Sequence, residues 1–357
     1  MALANTFPDA TLAERKETLR LMLRERRLDA ILIYASNKES SFSQWTTGAK
    51  PRIFHYFLLT AADSRFLAID YHVESLRLKT AEPITPIIED LVERDLAVAL
   101  KPFHSIGIAG SAPFGHLRGV YQEKKFVFLD ERFHMLLLQK SDAEIAGIAQ
   151  SAALTKRVLQ QAKQWIQPGI REKQLAREIR MALLSSAEDM AFPMTVMSGP
   201  RLARATAGIP TGRQIDAKDI VCIDAGVIKN GFASDLTRMY FLEEPEAKAR
   251  YRALRDAHDA VIAGLKTGLP IREIATLYKE ELAQRQLPAE TLEVGDLGHS
   301  IGFNVHEYPF IYRPEYDQYR LLDRMVFTLE PEIAFPAYRL RVEDMVVMRG
   351  GKAEKLT

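Results

Sequence analysis

Residues 220–241 read IVCIDAGVIKNGFASDLTRMYF. Two strand-like runs flank Asn230–Gly231, the dipeptide that most favours a two-residue type I′ hairpin turn. With those two as the loop, Lys229 faces Phe232, and counting back sets Asp224 opposite Thr237 and diagonal to Asp235. Diagonal residues share a face, with α-carbons roughly 7 to 8 Å apart, so both carboxylates reach toward one point. An aspartate at a hairpin end ordinarily marks a solvated rim. Asp224, however, closes the apolar run Ile220–Val221–Cys222–Ile223, where an uncompensated ionised carboxylate is costly. A positive partner is expected there, and a metal ion held between the two aspartates would supply it.

Downstream, residues 298–309 read GHSIGFNVHEYP and place His299 and His306 close together among small residues that let the backbone approach a ligand. Two later strand-like runs carry acids among apolar residues: Met325 to Pro331, with Glu330, and Leu340 to Met348, with Arg341 and Glu343. Strand alternation puts Val326, Thr328 and Glu330 on one face, and Arg341 with Glu343 on one face of the second run. If Asp224, Asp235, Glu330 and Glu343 converge, their mutual repulsion forces some to protonate unless two divalent cations neutralise them. One imidazole with four carboxylates is a hard, oxygen-rich set that suits manganese, magnesium or cobalt and accepts zinc. Two such ions, roughly 3.5 to 4 Å apart, would bridge a water, lower its pKa and stabilise the oxyanion formed on a carbonyl. The chemistry expected is hydrolysis.

Outward from these motifs, the chain divides in two. Its 357 residues exceed what one hydrophobic core usually supports. From Leu12 to about Gln139, helix-like and strand-like segments alternate as in an α/β domain, with strands expected at Asp29–Ala35, Phe54–Thr60, Arg65–Asp70, Ser105–Ala109 and Lys125–Leu129. Helical patterns fall at Leu12–Arg26 and Val73–Thr80. No catalytic cluster is read here, and Gly107, Gly110 and Gly115 lack the spacing of a phosphate-binding loop. Near Lys140–Ser141–Asp142 the pattern changes to long helices, Ala143–Ile166 and Glu172–Leu184, with Ser141 or Asp142 as N-cap. The boundary is therefore drawn between domains 1–140 and 141–357. The second domain repeats weakly: a helix ends at Gln167–Pro168–Gly169–Ile170–Arg171–Glu172, and another at Thr267–Gly268–Leu269–Pro270–Ile271–Arg272–Glu273. A duplicated helix–helix–strands unit is expected, with a site shared between its halves.

Composition excludes several classes. Forty-eight basic and 47 acidic residues leave a net charge of +1, too little to hold nucleic acid or anionic lipid by field alone. The single cysteine, Cys222, forbids an intramolecular disulfide and reads as a small buried hydrophobe in a reducing compartment. No apolar run approaches the ~20 residues of a membrane span, and residues 1–10 carry no basic-then-apolar leader, so the expected location is the cytoplasm. No G-x-S-x-G elbow supports a serine hydrolase.

With these motifs in order, the sequence resembles the pita-bread metallopeptidases, in the branch of aminopeptidase P, prolidase and creatinase. The likeness spans nearly the whole chain, from Thr47–Gly48 to Arg341–Val342–Glu343–Asp344. It implies a creatinase-like α/β N-terminal domain followed by an α+β pita-bread catalytic domain with an internal pseudo-twofold duplication. It further implies that Asp224 binds one metal, that Asp235 and Glu343 bridge two, and that His299 and Glu330 complete the other. Catalytic roles fall to His306, Arg341 and Glu330, and substrate contacts to His306 and the position of Ala207. The activity implied is an Xaa-Pro aminopeptidase or dipeptidase, using two divalent ions, manganese first and cobalt or zinc next. A metal-bridging hydroxide would attack the peptide carbonyl of a short peptide, in a homodimer.

Three positions depart from the family pattern. Counting back 17 residues from Asp224 reaches Ala207, where the peptidases carry a substrate-contacting histidine, and Arg324 and Glu332 stand where glycine is usual. Alanine offers only a methyl, so a roomier and less polar pocket is expected at that position. The altered pocket keeps a second reading open, a metal-dependent hydrolase or lyase of a small non-peptide metabolite. A non-catalytic peptide-binding module is disfavoured by the five retained ligands, and creatinase-like chemistry without metal by those ligands and by Ala207.

Overall fold

The computed structural model describes residues 7–36, 40–49, 53–295, 297–311 and 314–357. The chain forms two compact units that part between Leu137 and Leu138.

The first unit carries helices α1 (Asp9–Arg26), α2 (Ser41–Thr47), α3 (Val73–Arg77), α4 (Val92–Leu100), α5 (Phe114–Leu117) and α6 (Asp130–Leu138). Its strands are β1 (Ala30–Ala35), β2 (His55–Thr60), β3 (Ser64–Ile69), β4 (Ile84–Ile87), β5 (Ser105–Ala109) and β6 (Lys125–Phe128). They form one sheet in the order β4-β3-β2-β1-β5-β6, parallel at β3/β4, β1/β5 and β5/β6 and antiparallel around β2. The expected strands lie within one residue of their predicted bounds. The sequence did not announce β4, whose Thr85 and Pro86 are exposed. The α1 helix buries Leu12, Leu19, Met22 and Leu23 on one side, as its apolar spacing predicts.

The second unit opens with α7 (Asp142–Ala162), where Ser141 and Glu144 form a reciprocal capping box. Then follow α8 (Glu172–Leu184), β7 (Asp189–Met190), β8 (Thr195–Ser198), β9 (Ile220–Ala225), β10 (Val227–Lys229), β11 (Phe232–Ala233) and β12 (Leu236–Phe241). The second half repeats the plan with α9 (Pro245–Gly264), α10 (Glu273–Gln284), β13 (His299–Ser300), β14 (Glu307–Phe310), β15 (Val326–Leu329), β16 (Glu332–Ala334), β17 (Arg339–Arg341), β18 (Asp344–Arg349) and β19 (Lys352–Lys355).

The repeat seen in the sequence is a repeat of backbone geometry. Gly169 and Gly268 adopt φ of 91° and 90° at matching joints. The Gly169 N–H donates to Ile215 O at 2.8 Å and the Gly268 N–H to Leu321 O at 2.7 Å, while Ile215 and Leu321 donate back to Ile170 O and Leu269 O. An isolated bridge follows each joint, Arg171 with Gln214 and Pro270 with Arg320. Apolar residues of α9, α10, β15 and β18 share one buried cluster.

Candidate metal centre

The hairpin forms in the register its turn dictates. Asn230 and Gly231 take φ of 51° and 76°, as a type I′ turn requires. Lys229 pairs with Phe232, and Asp224 with Thr237. The same register sets Gly226 across from Asp235, and a Cβ there would lie 1.9 Å from Ser234 O. Only glycine allows this close crossing, which divides the hairpin into β9/β12 and β10/β11 and turns Asp235 inward, 5% exposed.

From the second half, His299 enters on β13, buried and gripped on both sides. Its N–H donates to Thr328 Oγ1 at 3.1 Å, and its Nδ1 lies 3.1 Å from Ser300 O. A carbonyl only accepts, so in the neutral ring Nδ1 carries the proton and Nε2 offers its lone pair inward. Nε2 lies 3.5 Å from Asp235 Oδ2 and 3.7 Å from Glu330 Oε1. The small residues beside His299 serve a different purpose from the one expected: Gly298, at φ 144°, admits the Thr328 carbonyl at 2.1 Å from where its Cβ would be, so the close approach is to β15.

The run Leu340 to Met348 is not the single strand its alternation predicted. It breaks at Val342–Glu343 into β17, which pairs with β16, and β18, which pairs with β15. Likewise Glu330 stands one residue beyond β15, its N–H donating to Leu297 O at 3.0 Å. Both glutamates therefore sit where the chain leaves a ladder, which frees their side chains to turn into the site. Thr237 Oγ1 donates to Glu343 Oε2 at 2.9 Å, while Glu343 Oε1 is buried without a hydrogen bond.

Three overlapping groups result: Asp224, Asp235 and Glu343; His299, Glu330 and Glu343; Asp235, His299 and His306. Within each, one ligand atom per residue lies within 4.8 Å of the others. Burial, then the charges of Asp224 and Glu330, raise the Asp235 pKa well above its ordinary value. Burial, then Asp235 and Asp224, do the same for Glu343. Burial alone would depress the Arg341 pKa, but Glu330, Glu332, Asp224 and Glu343 outweigh it and hold the guanidinium charged. One guanidinium against this many buried carboxylates leaves the site electron-rich, and the hard oxygen set with an inward imidazole fits divalent cations.

All five expected ligands and His306 thus come together. His306 is exposed, its ring 4.5 Å from that of His299. Arg341 reaches Glu330 Oε2 at 3.1 Å through Nη1. Ala207 is exposed. The hydroxyl of its neighbour Thr206 donates to the buried carboxylate of Glu332. Arg324 takes φ of 66°, the left-handed conformation that explains a glycine preference at this position.

Sequence reasoning missed one support. Lys140 Nζ and Glu307 Oε2 form an ion pair at 2.8 Å, both 3% exposed, and Glu307 Oε1 accepts from the N–H groups of Phe303 and Asn304. This pins the loop that carries His306. Cys222 is fully buried as expected, and no helix among the described residues is long and apolar enough to cross a membrane.

Known proteins share this architecture. The profile of metallopeptidase family M24 matches residues 146–350. The Xaa-Pro dipeptidase of Pyrococcus horikoshii is 26% identical over 338 residues, 92% of this chain and 93% of its own. The crystal structure of the prolidase from Pyrococcus horikoshii superposes with a TM-score of 0.86 at 24% identity, covering 96% of this chain and 98% of that one. The dipeptidase PepE of Mycobacterium ulcerans does so with a TM-score of 0.81 at 25% identity, covering 98% and 96%. The profile takes in more than half of the chain, which therefore belongs to metallopeptidase family M24, the pita-bread metallopeptidases.

Proposed function

We propose that this metallopeptidase cleaves Xaa-Pro bonds in short peptides, with Asp224, Asp235, His299, Glu330 and Glu343 holding two divalent ions. The observation that carries the reading is the overlap of the ligand groups: Asp235, His299 and Glu343 each belong to two of them, and of these the two carboxylates, with two oxygens each, suit a bridge between paired ions. Manganese suits this oxygen-rich set first, with cobalt or zinc next. Two such cations would activate water at neutral pH and polarise the scissile carbonyl.

The chain's own residues do the rest. The Nδ1–H bond to Ser300 O fixes the His299 tautomer, and Thr237 orients Glu343. The exposed His306 ring faces the substrate side, where it binds the peptide and stabilises charge developing on the carbonyl oxygen. Arg341 holds Glu330 in place and keeps a positive charge beside it. The catalytic work is assigned to domain 141–357, in a cytoplasmic homodimer; the lone buried cysteine supports a reducing setting. A second reading, hydrolysis or lysis of a small non-peptide metabolite, draws on the departures at Ala207 and Glu332.

Metal analysis followed by a dipeptide panel tests the proposal. About two divalent ions per chain are expected, a chelator should abolish hydrolysis, and manganese or cobalt should restore it for peptides with proline in second position. Full activity in metal-free protein would sink the mechanism. Rapid turnover of proline-free peptides would sink the specificity.

A further inference from the structure

We infer that Glu332 sets the substrate class by disfavouring a free carboxylate next to the scissile bond. Peptides that continue beyond proline, and C-terminal amides, are then better substrates than free dipeptides. The inference rests on the peptidase reading and deepens it.

Glu332 is 5% exposed on β16, cross-strand from Arg341 on β17. Its Oε1 accepts from Arg339 Nη1 at 2.9 Å, and its Oε2 accepts from Arg341 Nε at 3.2 Å and from the Thr206 hydroxyl. Arg341 gives its Nη1 to Glu330. Arg341, which touches the Glu330 carboxylate, and Arg339 on the same strand are thus both turned onto acids of this chain. A dipeptide bound with its scissile carbonyl at the centre carries its own carboxylate one residue further on. There it needs a cation, and near Arg339 and Arg341 it meets the fixed charge of Glu332 first. A site that already satisfies its donors with an internal acid rejects a competing acid through repulsion and through the cost of displacing it. An amide or a continuing peptide bond carries no charge and escapes both penalties.

The two departures are linked through Thr206. Thr206, which donates to Glu332, is followed directly by Ala207, exposed and reduced to a methyl. This chain thus sets an exposed methyl in sequence beside the partner of a buried carboxylate. Room for a longer chain and rejection of a chain end are one consistent alteration.

The test compares Ala-Pro, Ala-Pro-NH2 and Ala-Pro-Ala on the metal-loaded full chain. The amide and the tripeptide should exceed Ala-Pro in kcat/KM by about tenfold or more, with the difference chiefly in KM. Glu332→Gln, which keeps the size and one acceptor oxygen and removes the charge, should cut that preference several-fold. Glu332→Gly should erase or invert it. Equal turnover of acid and amide by the wild type, or an unchanged ratio in folded Glu332→Gln, overturns the inference, because a merely structural latch would lower kcat on all three alike. If none of the three is hydrolysed, the proposed activity fails, and calorimetric binding of Ala-Pro against Ala-Pro-NH2 decides the selectivity alone. Tighter binding of the amide supports it; equal binding, or none, overturns it.

Discussion

The two halves of the catalytic unit share a joint and differ in what they hang on it. In each, a glycine at φ near 90° hands the chain to a helix that begins with glutamate, Glu172 or Glu273. Glu172 is fully buried and accepts hydrogen bonds from the N–H and hydroxyl groups of Ser198 and Thr211 and from Arg201. Glu273 is exposed. Three acids of the centre stand where a ladder breaks or ends, Asp235 between β11 and β12, Glu330 after β15 and Glu343 between β17 and β18, whereas Asp224 stands within β9. Duplication preserved a backbone device while the side-chain chemistry of the halves diverged, one locking its joint and the other carrying the imidazoles and arginines.

The proposed centre draws ligands from both halves, and this sets the largest expected effect. Asp235→Ala and Glu343→Ala should each lower kcat/KM by well over the ~100-fold that supporting partners of a metal ligand alone are worth, with bound metal reduced. His306→Ala should retain the metals and lose turnover. A variant in one half that leaves activity near wild type would break the symmetry of the argument, and equal metal loss in all three would remove the separate role given to His306.

Next in size is the asymmetry of the joints. Glu172→Ala strands the Ser198 and Thr211 donors and Arg201, and should cost about 3 kcal/mol in chemical denaturation; Glu273→Ala should cost under ~0.5 kcal/mol. The acid limb follows with a definite sign. Burial tends to raise the Glu172 pKa, but hydrogen bonds from Thr211 and Ser198 and the charge of Arg201 prevail and lower it. Its contribution is therefore present above the unfolded value near ~4.3 and is lost as pH falls through the folded value. Melting of Glu172→Gln should depend less on pH between about 5 and 3 than melting of the wild type. Parallel curves would mean that Glu172 is not a stabilising carboxylate.

What the sequence made legible follows the range of the forces involved. The Asn230–Gly231 turn dictates a register by local dihedral chemistry alone, so Asp224 and Asp235 could be paired before any fold was known. The break at Val342–Glu343 could not be, because β17 and β18 are separated by their partners β16 and β15, a long-range choice that alternation does not encode. The α2 helix, SFSQWTT, has one good helix former, Gln44, and is buried throughout, so packing overrides propensity there. The Lys140–Glu307 pair joins residues 167 positions apart and left no local signal. Gly298 was noticed for the right reason, close approach, with the wrong neighbour.

A smaller effect sharpens the contrast between the proposed metal centre, whose expected ligands come together, and the departures at Ala207 and Glu332. Ala207→His restores a ring nitrogen, which should raise kcat/KM on Xaa-Pro substrates by about tenfold. Because Thr206 touches Glu332, the gain should depend on residue 332: Ala207→His and Glu332→Gly together should depart from additivity by at least ~0.5 kcal/mol. Additive effects would show that the two departures are independent.

The smallest effect concerns Arg324, which pays for a left-handed backbone at the edge of the second half. A φ of 66° costs a side-chain-bearing residue on the order of 1 to 2 kcal/mol relative to glycine. The side chain offsets this by donating from Nε to Lys140 O at 2.7 Å, while the backbone exchanges hydrogen bonds with Lys140 and Met348. The further contact to Asp142, whose side chain is 92% exposed, contributes little. Arg324→Gly removes strain and anchor together and should leave stability within about 1 kcal/mol of wild type, whereas Arg324→Ala keeps the strain, loses the anchor and should be the least stable of the three. Since Lys140 pairs with Glu307 beside His306, both variants should also lower kcat a few-fold without changing metal content. An alanine variant as stable as the glycine variant would show that the left-handed backbone carries no strain here, and the departure at residue 324 would then need another cause.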